Sequence, residues 1–423
     1  MDLKVLPGKL RLIKMEIPWT SQQWCSNLMI MTPPFTKFYH PDPKQLMKPS
    51  HLFLVPLVLL YVLALPLTGH CTAASFKIGL ILDQSGKSRV DQHPILQAVE
   101  LAVTKIGADH RFGNMNIQLE IFDNGGSVIG SKLAALKAVR SGVPAVIGPM
   151  RSSNALISAE VLQKAGIVMI TPTATHPEIT KERDFVFRTC YTDRFQGDTL
   201  SKFACSELNA KKTVVLTNTK DRYCKGLAKS FIQSYRQCGA NEITEFDYLE
   251  DVTDFQHLVD AVIPLMPDLI FIPGYSRDAG TIISTLRRSG STALLLGGDG
   301  WGTQPIHKFA GDAIFGAFRT AFWHPALQNP VSRTFVKDFE SRYGKVTRLD
   351  IPSAYDAVML LAKAARIAES RDSRTIRDTL KSTQAFMGAT GALRFDPNGD
   401  AVKQAVILKY TTGIPTFHTV VQP

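Results

Sequence analysis

Two short apolar runs on either side of a helical segment place the strongest constraint on the fold of this chain. The runs cover Ala145–Ile147 and residues 167–170, and uninterrupted apolar runs are typical of strands buried on both faces of a parallel sheet. Residues 154–165, between the runs, have apolar side chains at helical spacing. Ser152 or Ser153 is expected to cap the start of this helix. The segment is therefore predicted to be a strand–helix–strand unit.

The carboxyl ends of these two strands are predicted to form a binding site for an anion. Parallel strands joined by a right-handed crossover end at one edge of the sheet, and open α/β sheets bind ligands at that edge. The N-terminus of a helix presents free backbone N–H groups and the positive end of its dipole there. Hydroxyl groups of Ser152, Thr173 and Thr175 belong to the adjoining segments and suit a carboxylate. The alternative is purely structural, with Ser152 as a helix cap and both threonines as turn residues.

Strands and helices alternate along most of the chain from residue 76 onward. Two successive βαβαβ series predict two doubly wound α/β lobes, and 423 residues are enough to give each lobe its own core. One of the later strands is expected at residues 313–317. Helices at 332–343 and 353–370, followed by short strands, are expected to complete the two lobes rather than to form a third domain.

The beginning of the chain has the pattern of a secretory signal peptide. Lys48 precedes a stretch of apolar residues at 52–66, and small residues follow this stretch. Such a stretch is short for a membrane span, which needs about 20 apolar residues. Residues 47–74 are therefore predicted to be the signal. Residues 1–46 are either an extension or the consequence of a mis-assigned start, with Met47 as the true one. The protein is expected to be exported.

Charge and motifs argue against several classes of function. The formal net charge is +11, but no basic cluster contains interleaved aromatic residues, so no nucleic-acid partner is expected. No GxGxxG follows the first strand, and neither HExxH nor GxSxG occurs. The sequence therefore predicts no catalytic residues, no cofactor and no enzymatic activity.

Four cysteines follow the predicted signal and bear on metal binding and on disulfides. None of them has a second cysteine at CxxC spacing, so no metal site is expected. An exported protein is able to form disulfides. Cys224 and Cys238 stand at opposite ends of one predicted helix, which separates them by about 20 Å and excludes their pairing. The expected pair is Cys205 with Cys238.

Four residues that follow predicted strands of the second lobe are candidates to complete a ligand site. Asp299 lies between glycines after a strand at 294–296, and its carboxylate suits an ammonium group. Trp301 follows closely and is suited to enclose a ligand side chain. Tyr275 and Tyr223 each follow another predicted strand. Each residue taken alone also fits a structural role, as a turn residue or as a packed aromatic ring.

The sequence resembles the leucine/isoleucine/valine-binding proteins, the periplasmic solute receptors of branched-chain amino-acid ABC transporters. The likeness is strongest at residues 146–180, and further matching motifs follow in order along the chain. They are FRT and DRFQG at 187–197, DRY and GLA at 221–228, GY at 274–275, GDG at 298–300, YDA at 355–357, and G, FD and NGD at 391–400.

The resemblance implies a type I periplasmic-binding fold of the α/β class, in which three crossovers join two doubly wound lobes. By position in the sequence, the first lobe would comprise residues 76–193 and 324–391. The second lobe would comprise residues 194–323 and 392–423.

The resemblance also implies roles for the candidate residues. A ligand carboxylate would contact Ser152 and Thr175, and a ligand ammonium group would contact the Thr173 carbonyl and the Asp299 carboxylate. Two tyrosines would close over the ligand from the second lobe. Motifs and resemblance together predict as ligand-binding residues Ser152, Ser153, Thr173, Thr175, Tyr223, Tyr275, Asp299 and Trp301.

The implied function is that of a periplasmic solute-binding protein of an ABC importer. It would capture an amino acid of the branched-chain type, or a related small carboxylate, between closing lobes. It would act as a monomer, with an ABC permease in the membrane as its partner. A soluble sensor of small amides or acids shares this fold and is the alternative, whereas an enzyme is less favoured. The chain departs from the family at residues 83–89, DQSGKSR, where charges replace a loop with a tyrosine, so the accepted ligand side chain stays open.

Overall fold

The computed structural model describes residues 75–423 apart from 114, 240, 241, 250, 251 and 328. The predicted signal peptide at 47–74 and the preceding residues 1–46 lie outside the described residues. In the described part, no helix combines the length and the apolar character that crossing a membrane requires.

The first sheet consists of five parallel strands: β1 (Phe76–Leu82), β2 (Ile117–Asp123), β3 (Ala145–Ile147), β4 (Val168–Thr171) and β5 (Val186–Arg188). Their order across the sheet is β2-β1-β3-β4-β5. The helices between the first four strands are α1 (Arg89–Ala108), α2 (Val128–Ser141) and α3 (Ser152–Ala165). Every residue of β3 and β4 is buried, which explains why these strands are uninterrupted apolar runs.

The second sheet repeats this plan with α4 (Asp193–Ser206) leading into its first strand. Its parallel strands are β6 (Lys212–Asn218), β7 (Glu242–Tyr248), β8 (Leu269–Ile272), β9 (Leu294–Gly297) and β10 (Phe318–Ala321). The helices between them are α5 (Arg222–Gln237), α6 (Gln256–Val262), α7 (Ser276–Arg288) and α8 (His307–Ala310).

The chain then returns to the first sheet before it ends. The returning elements are α9 (Pro330–Tyr343), α10 (Ile351–Ile367), α11 (Ser373–Lys381) and a small antiparallel sheet of β11 (Phe386–Gly388), β12 (Gly391–Phe395) and β13 (Ala401–Val402). Phe335, Val358 and Leu393 from these elements share one buried core with Ile78 and Phe187 of the first sheet. Two antiparallel strands, β14 (Ala405–Tyr410) and β15 (Pro415–Val421), then extend the second sheet, whose order is β15-β14-β10-β9-β8-β6-β7.

The predicted α/β architecture of two doubly wound lobes with three crossovers is confirmed. The chain passes between the two sheets after β5, after β10 and after β13. The bounds expected for the lobes stay a prediction. Because Leu393 and Phe395 belong to the core of the first sheet, we propose that the last crossover lies at 403–404 rather than directly after Gly391.

The prediction of a strand at residues 313–317 is wrong. Gly311–Ile314 form a short 3-10 helix, and the strand begins only at Phe318. Gly311 and Gly316 have φ angles of 56° and 83°, which lie in the left-handed region and not in the extended region of strands. Backbone geometry therefore interrupts an apolar run that sequence periodicity alone assigns to a strand.

The four described cysteines are unbonded in the structure. Cys190 and Cys224 are buried, whereas Cys205 lies within hydrogen-bonding reach of Cys238. Burial, together with the neighbouring Cys238 thiol, raises the pKa of Cys205 to about 12. The expected pairing of Cys205 with Cys238 stays a prediction, and helix packing brings these two residues together.

Candidate functional site

A cavity of about 420 Å³ lies between the lobes, at the carboxyl ends of the parallel strands. We call this cavity the cleft. Loops after β1, β2, β3 and β4 line it from the first lobe, and the beginnings of α5 and α7 and the turn after β9 line it from the second. The cleft brings together five of the eight predicted residues, namely Ser152, Thr173, Tyr223, Tyr275 and Asp299.

Ser152 lies at the N-terminus of α3 and faces the cleft. The structure contradicts its expected role as the helix cap, because the cap position is Arg151 and no side chain caps this helix. Ser152 is 2% exposed, and its hydroxyl oxygen accepts a hydrogen bond of 3.3 Å from the backbone N–H of His176. The hydroxyl hydrogen is therefore available to a ligand. The first amides of α3 have no partner within the helix and add positive potential at the same place.

Thr173 completes the wall of the first lobe beside Ser152. Its hydroxyl donates a hydrogen bond of 2.9 Å to the carbonyl of Met150, so this hydroxyl is not available to donate to an anion as the sequence suggested. The hydrogen bond instead ties the loop after β4 to the loop after β3. The contact of a ligand with the Thr173 carbonyl, which the family resemblance implies, stays a prediction.

Asp299 provides a partly buried negative charge on the opposite wall. It begins the 3-10 helix Asp299–Gly302 directly after β9, and its Oδ1 accepts a hydrogen bond of 2.7 Å from Nε2 of Gln196. Burial raises the pKa of Asp299 to about 6, although the hydrogen bonds from Gln196 and Tyr223 oppose this shift. A desolvated carboxylate of this kind is stabilised by any cation that enters the cleft.

Two tyrosines form the aromatic wall of the second lobe. The rings of Tyr223 and Tyr275 lie 5.3 Å apart, and the guanidinium group of Arg151 from the first lobe lies 4.2 Å from the centre of the Tyr275 ring. The Tyr223 hydroxyl accepts a hydrogen bond of 3.0 Å from the backbone N–H of Gly300, which fixes the turn that carries Asp299. The aromatic wall therefore both lines the cleft and positions the acid.

Ser153 does not line the cleft but connects the two lobes. Its hydroxyl donates a hydrogen bond of 3.1 Å to Asp221 Oδ2 and accepts one of 3.2 Å from the backbone N–H of Arg222. Both partners belong to the start of α5 in the second lobe. These contacts hold the lobes together beside the cleft.

Thr175 and Trp301 also lie away from the cleft. Thr175 is fully buried, and its carbonyl accepts a hydrogen bond of 2.9 Å from the backbone N–H of Asp193. Trp301 is fully buried in the core of the second lobe, where its indole N–H donates to the carbonyl of Ile272 at 2.9 Å. The indole ring packs so closely on Gly297 that a side chain there would come within 2.1 Å of it. Trp301 therefore does not enclose a ligand, and we leave it out of the proposed site.

The comparison with known proteins decides the family of this chain. A model of a protein family, described as periplasmic binding protein, matches residues 75–413 of this chain. The chain belongs to the periplasmic binding protein family. The family resemblance predicted from the motifs is confirmed, and so is the type I periplasmic-binding fold.

Solved structures agree with this periplasmic binding protein over nearly their whole length. The leucine-binding protein LivK of Thermotoga maritima is 30% identical, with a TM-score of 0.77, and the match covers 82% of this chain and 99% of LivK. LivJ of Streptococcus pneumoniae, solved with isoleucine, is 29% identical with a TM-score of 0.76, and the match covers 82% of this chain and 100% of LivJ.

A curated relative is similar at the level of sequence. The leucine-, isoleucine-, valine-, threonine- and alanine-binding protein of Pseudomonas aeruginosa is 28% identical over 307 residues, which are 71% of this chain and 80% of the relative. The solute-binding protein of Rhodopseudomonas palustris solved with benzoate is 20% identical with a TM-score of 0.74 and covers 82% of this chain and 97% of its own. That likeness shows the fold alone.

Sequence reasoning about this periplasmic binding protein missed a polar group at one end of the cleft. Asp91 accepts a hydrogen bond from the Gln304 side chain across the lobes, and Arg348 forms an ion pair with Asp350. Arg348 also donates to the backbone carbonyl of Asp91. The only sequence signal for this group is the charged loop at residues 83–89. Among the described residues, no group of His, Cys, Asp or Glu side chains is arranged to hold a metal ion.

Proposed function

We propose that this protein captures an α-amino acid, or a related small carboxylate, between its two lobes. One observation carries the proposal: the N-terminus of α3 with the Ser152 hydroxyl and the partly buried Asp299 carboxylate line the same cleft from opposite lobes. The first group attracts an anion, and the second attracts a cation. A zwitterion that carries both charges fits between them, and names of relatives that bind branched-chain amino acids support this ligand class.

Placing the two charge-recognising groups on different lobes couples binding to closure. A carboxylate held only by the first lobe leaves Asp299 without a cation, and an ammonium group held only by the second leaves the α3 amides unused. Both interactions form together only when the lobes are closed, so the ligand stabilises the closed form by its differential affinity. The hydrogen bonds of Ser153 to the start of α5 add contacts between the lobes beside the cleft.

We propose the remaining parts of the function on the basis of the family's role. The protein acts outside the cytoplasm, after export by the signal at residues 47–74. It passes its ligand unchanged, as a monomer, to an ABC permease in the membrane, and it performs no catalysis. Binding followed by recovery of the intact ligand separates this role from that of an enzyme.

The decisive experiment measures which charges of a ligand are required. A thermal-shift screen of the twenty amino acids selects a ligand, since specific binding raises the melting temperature by mass action. Calorimetry then compares that amino acid with one analogue that lacks the amine and one that lacks the carboxylate. We expect each analogue to bind at least about 100-fold more weakly, which corresponds to roughly 2.7 kcal/mol. Equal affinity of all three compounds, or no response to any amino acid or to any related small carboxylate, would refute the proposal.

Ser152→Ala is expected to weaken ligand binding far more than it lowers the stability of the ligand-free protein. A hydrogen bond to a charged group contributes about 1.5–3 kcal/mol, so the affinity for the amino acid should fall roughly 10- to 150-fold. The melting temperature should fall no further than in the control variant described next, because Ser152 does not cap α3 and its hydroxyl contributes one hydrogen bond, accepted from the backbone N–H of His176. Calorimetry and differential scanning fluorimetry measure these two quantities.

Ser158→Ala in the same helix is the matched control. The Ser158 hydroxyl donates to the carbonyl of Ser131 at 3.2 Å and lies away from the cleft, so this variant should lose stability and keep its affinity. If Ser152→Ala instead shows that control's behaviour, the structural interpretation of Ser152 is correct and the proposed carboxylate site is not.

A further inference from the structure

The residues that line the cleft beside the proposed charge-binding groups are mostly polar. Among the described residues that line the cleft, none is leucine, isoleucine or valine, and the apolar or aromatic side chains are those of Met150, Phe322 and the two tyrosines. The lining between α1 and the segment before α10 instead carries charges and amides. Its members are Asp91, Gln92, Gln304, Arg348 and Asp350.

These polar groups are fixed by one another rather than free to move away from a ligand. The Gln304 amide donates to the Asp91 carboxylate, and Arg348 donates to the Asp91 carbonyl. The Arg348 Nε donates to Asp350 Oδ1 at 3.0 Å. The side chains of Arg348 and Asp350 are only 9% and 14% exposed. The network spans both lobes, so closing the cleft brings its parts together.

The loop at residues 83–89 shapes the same end of the cleft. The Asp83 carboxylate accepts hydrogen bonds from the backbone N–H groups of Gly86 at 2.6 Å and Ser88 at 3.0 Å. A side chain at position 86 would come within 2.5 Å of the Gly125 carbonyl, so this loop brings backbone and not an apolar side chain to the lining. The sequence of this loop, which departs from the family, therefore changes the lining of the cleft.

The formal charges around the cleft balance apart from Asp299. The acids are Asp83, Asp91, Asp278 and Asp350, and the bases are Lys87, Arg151, Arg277 and Arg348. A ligand side chain with a net charge of its own would upset this balance. An uncharged group that both donates and accepts hydrogen bonds matches carboxylates, guanidinium groups and amides together.

We infer that the cleft selects amino acids with an uncharged, hydrogen-bonding side chain, such as a carboxamide or a hydroxyl, over branched aliphatic ones. This inference rests on the proposed function. An aliphatic side chain would remove water from the Asp91–Gln304–Arg348 network without giving the remaining donors and acceptors of these groups new partners, and such uncompensated desolvation lowers affinity. A site built for hydrogen bonding strongly rejects a ligand of the same shape that cannot form those hydrogen bonds. An apolar pocket rejects a ligand with an added hydroxyl group far less strongly.

Pairs of amino acids with matched shape test this inference. Asparagine and leucine have the same branching, as do threonine and valine, while glutamine and methionine have similar length. For each pair that binds, calorimetry on the full chain should show that the polar amino acid binds at least about tenfold more tightly than the apolar one. If the apolar member binds equally well or better, or if only amino acids with charged side chains bind, the inference is overturned and the proposed function stands. If no α-amino acid binds, the inference is overturned, and if no small carboxylate binds either, the proposed function itself has failed.

Gln304→Met separates selectivity from a general loss of structure. Methionine keeps the length of the side chain and removes its amide, so we expect the preference for asparagine over leucine to fall at least about tenfold. If Gln304 has only a structural role, the affinities for both ligands should fall by the same factor, and the ratio of the two affinities should stay unchanged. Gln233→Met on α5, which lies outside the cleft, is the control and should leave both affinities unaltered.

Discussion

Asp299→Asn is expected to weaken amino-acid binding by about 3–5 kcal/mol, because removing one partner of a buried charge pair leaves the other charge uncompensated. This loss corresponds to roughly 150-fold to 5,000-fold in the dissociation constant. Asparagine has the same shape and retains an oxygen that accepts the hydrogen bond from Gln196. The change therefore removes charge and little else. Isothermal calorimetry with the amino acid selected by the thermal-shift screen measures the effect.

A ligand without an amine is the control for this variant. The analogue that lacks the ammonium group has no charge to pair with Asp299, so it should bind Asp299→Asn at least as tightly as it binds the unchanged protein. An unaltered affinity for the amino acid itself would remove Asp299 from the site. An equal loss for both ligands would mean that the substitution disturbs the cleft as a whole.

The pH dependence of binding provides a second test of the same group. The pKa of Asp299 is raised to about 6 by burial, so the ligand-free protein carries the charge above this pH and loses it below. An ammonium ligand needs the charged form, and its affinity should therefore be constant above about pH 7 and fall roughly tenfold per pH unit well below 6. Asp299→Asn should abolish this dependence between pH 5 and 7.

The strand–helix–strand unit could be predicted from the sequence because its signals are local. The apolar runs became β3 and β4, and Gly166 ends α3 with a φ angle of 66°. The capping role of Ser152 could not be excluded in the same way. Its hydroxyl oxygen accepts from His176, 24 residues further along the chain, and no local pattern reveals such a contact.

Two features of the site show where sequence reasoning fails. Trp301 is two residues from Asp299, yet the 3-10 helix Asp299–Gly302 sends the indole into the core while the acid faces the cleft. Arg348 is 257 residues from Asp91 in the sequence and contacts it in the structure. The closeness of Trp301 to Asp299 in the sequence thus suggested a ligand contact that the fold does not make. The contact between Arg348 and Asp91 joins distant parts of the chain, and no sequence motif predicts it.

A buried charge pair, separate from the cleft, lies where two crossovers meet the first lobe. Lys403 and Asp356 are 2% and 0% exposed. The Lys403 Nζ donates to the Thr189 carbonyl at 3.1 Å and to the Thr390 hydroxyl at 2.6 Å, and that hydroxyl donates in turn to Asp356 at 2.5 Å. Burial lowers the pKa of Lys403 to about 8 and raises the pKa of Asp356. Each charge is therefore tolerated mainly because the other is present.

Lys403→Met should lower the free energy of unfolding by about 3–5 kcal/mol, since it leaves the Asp356 charge buried without its cation. Urea denaturation of the ligand-free protein at pH 7 measures this loss. The same substitution at Lys202, whose ion pair with Asp198 is exposed on α4, should cost no more than about 1 kcal/mol. Combining Lys403→Met with Asp356→Asn removes both charges, so the double variant should be less destabilised than the sum of the single ones. Strict additivity would show that the two charges do not stabilise each other, and that the loss at Lys403 reflects its hydrogen bonds to Thr189 and Thr390 alone.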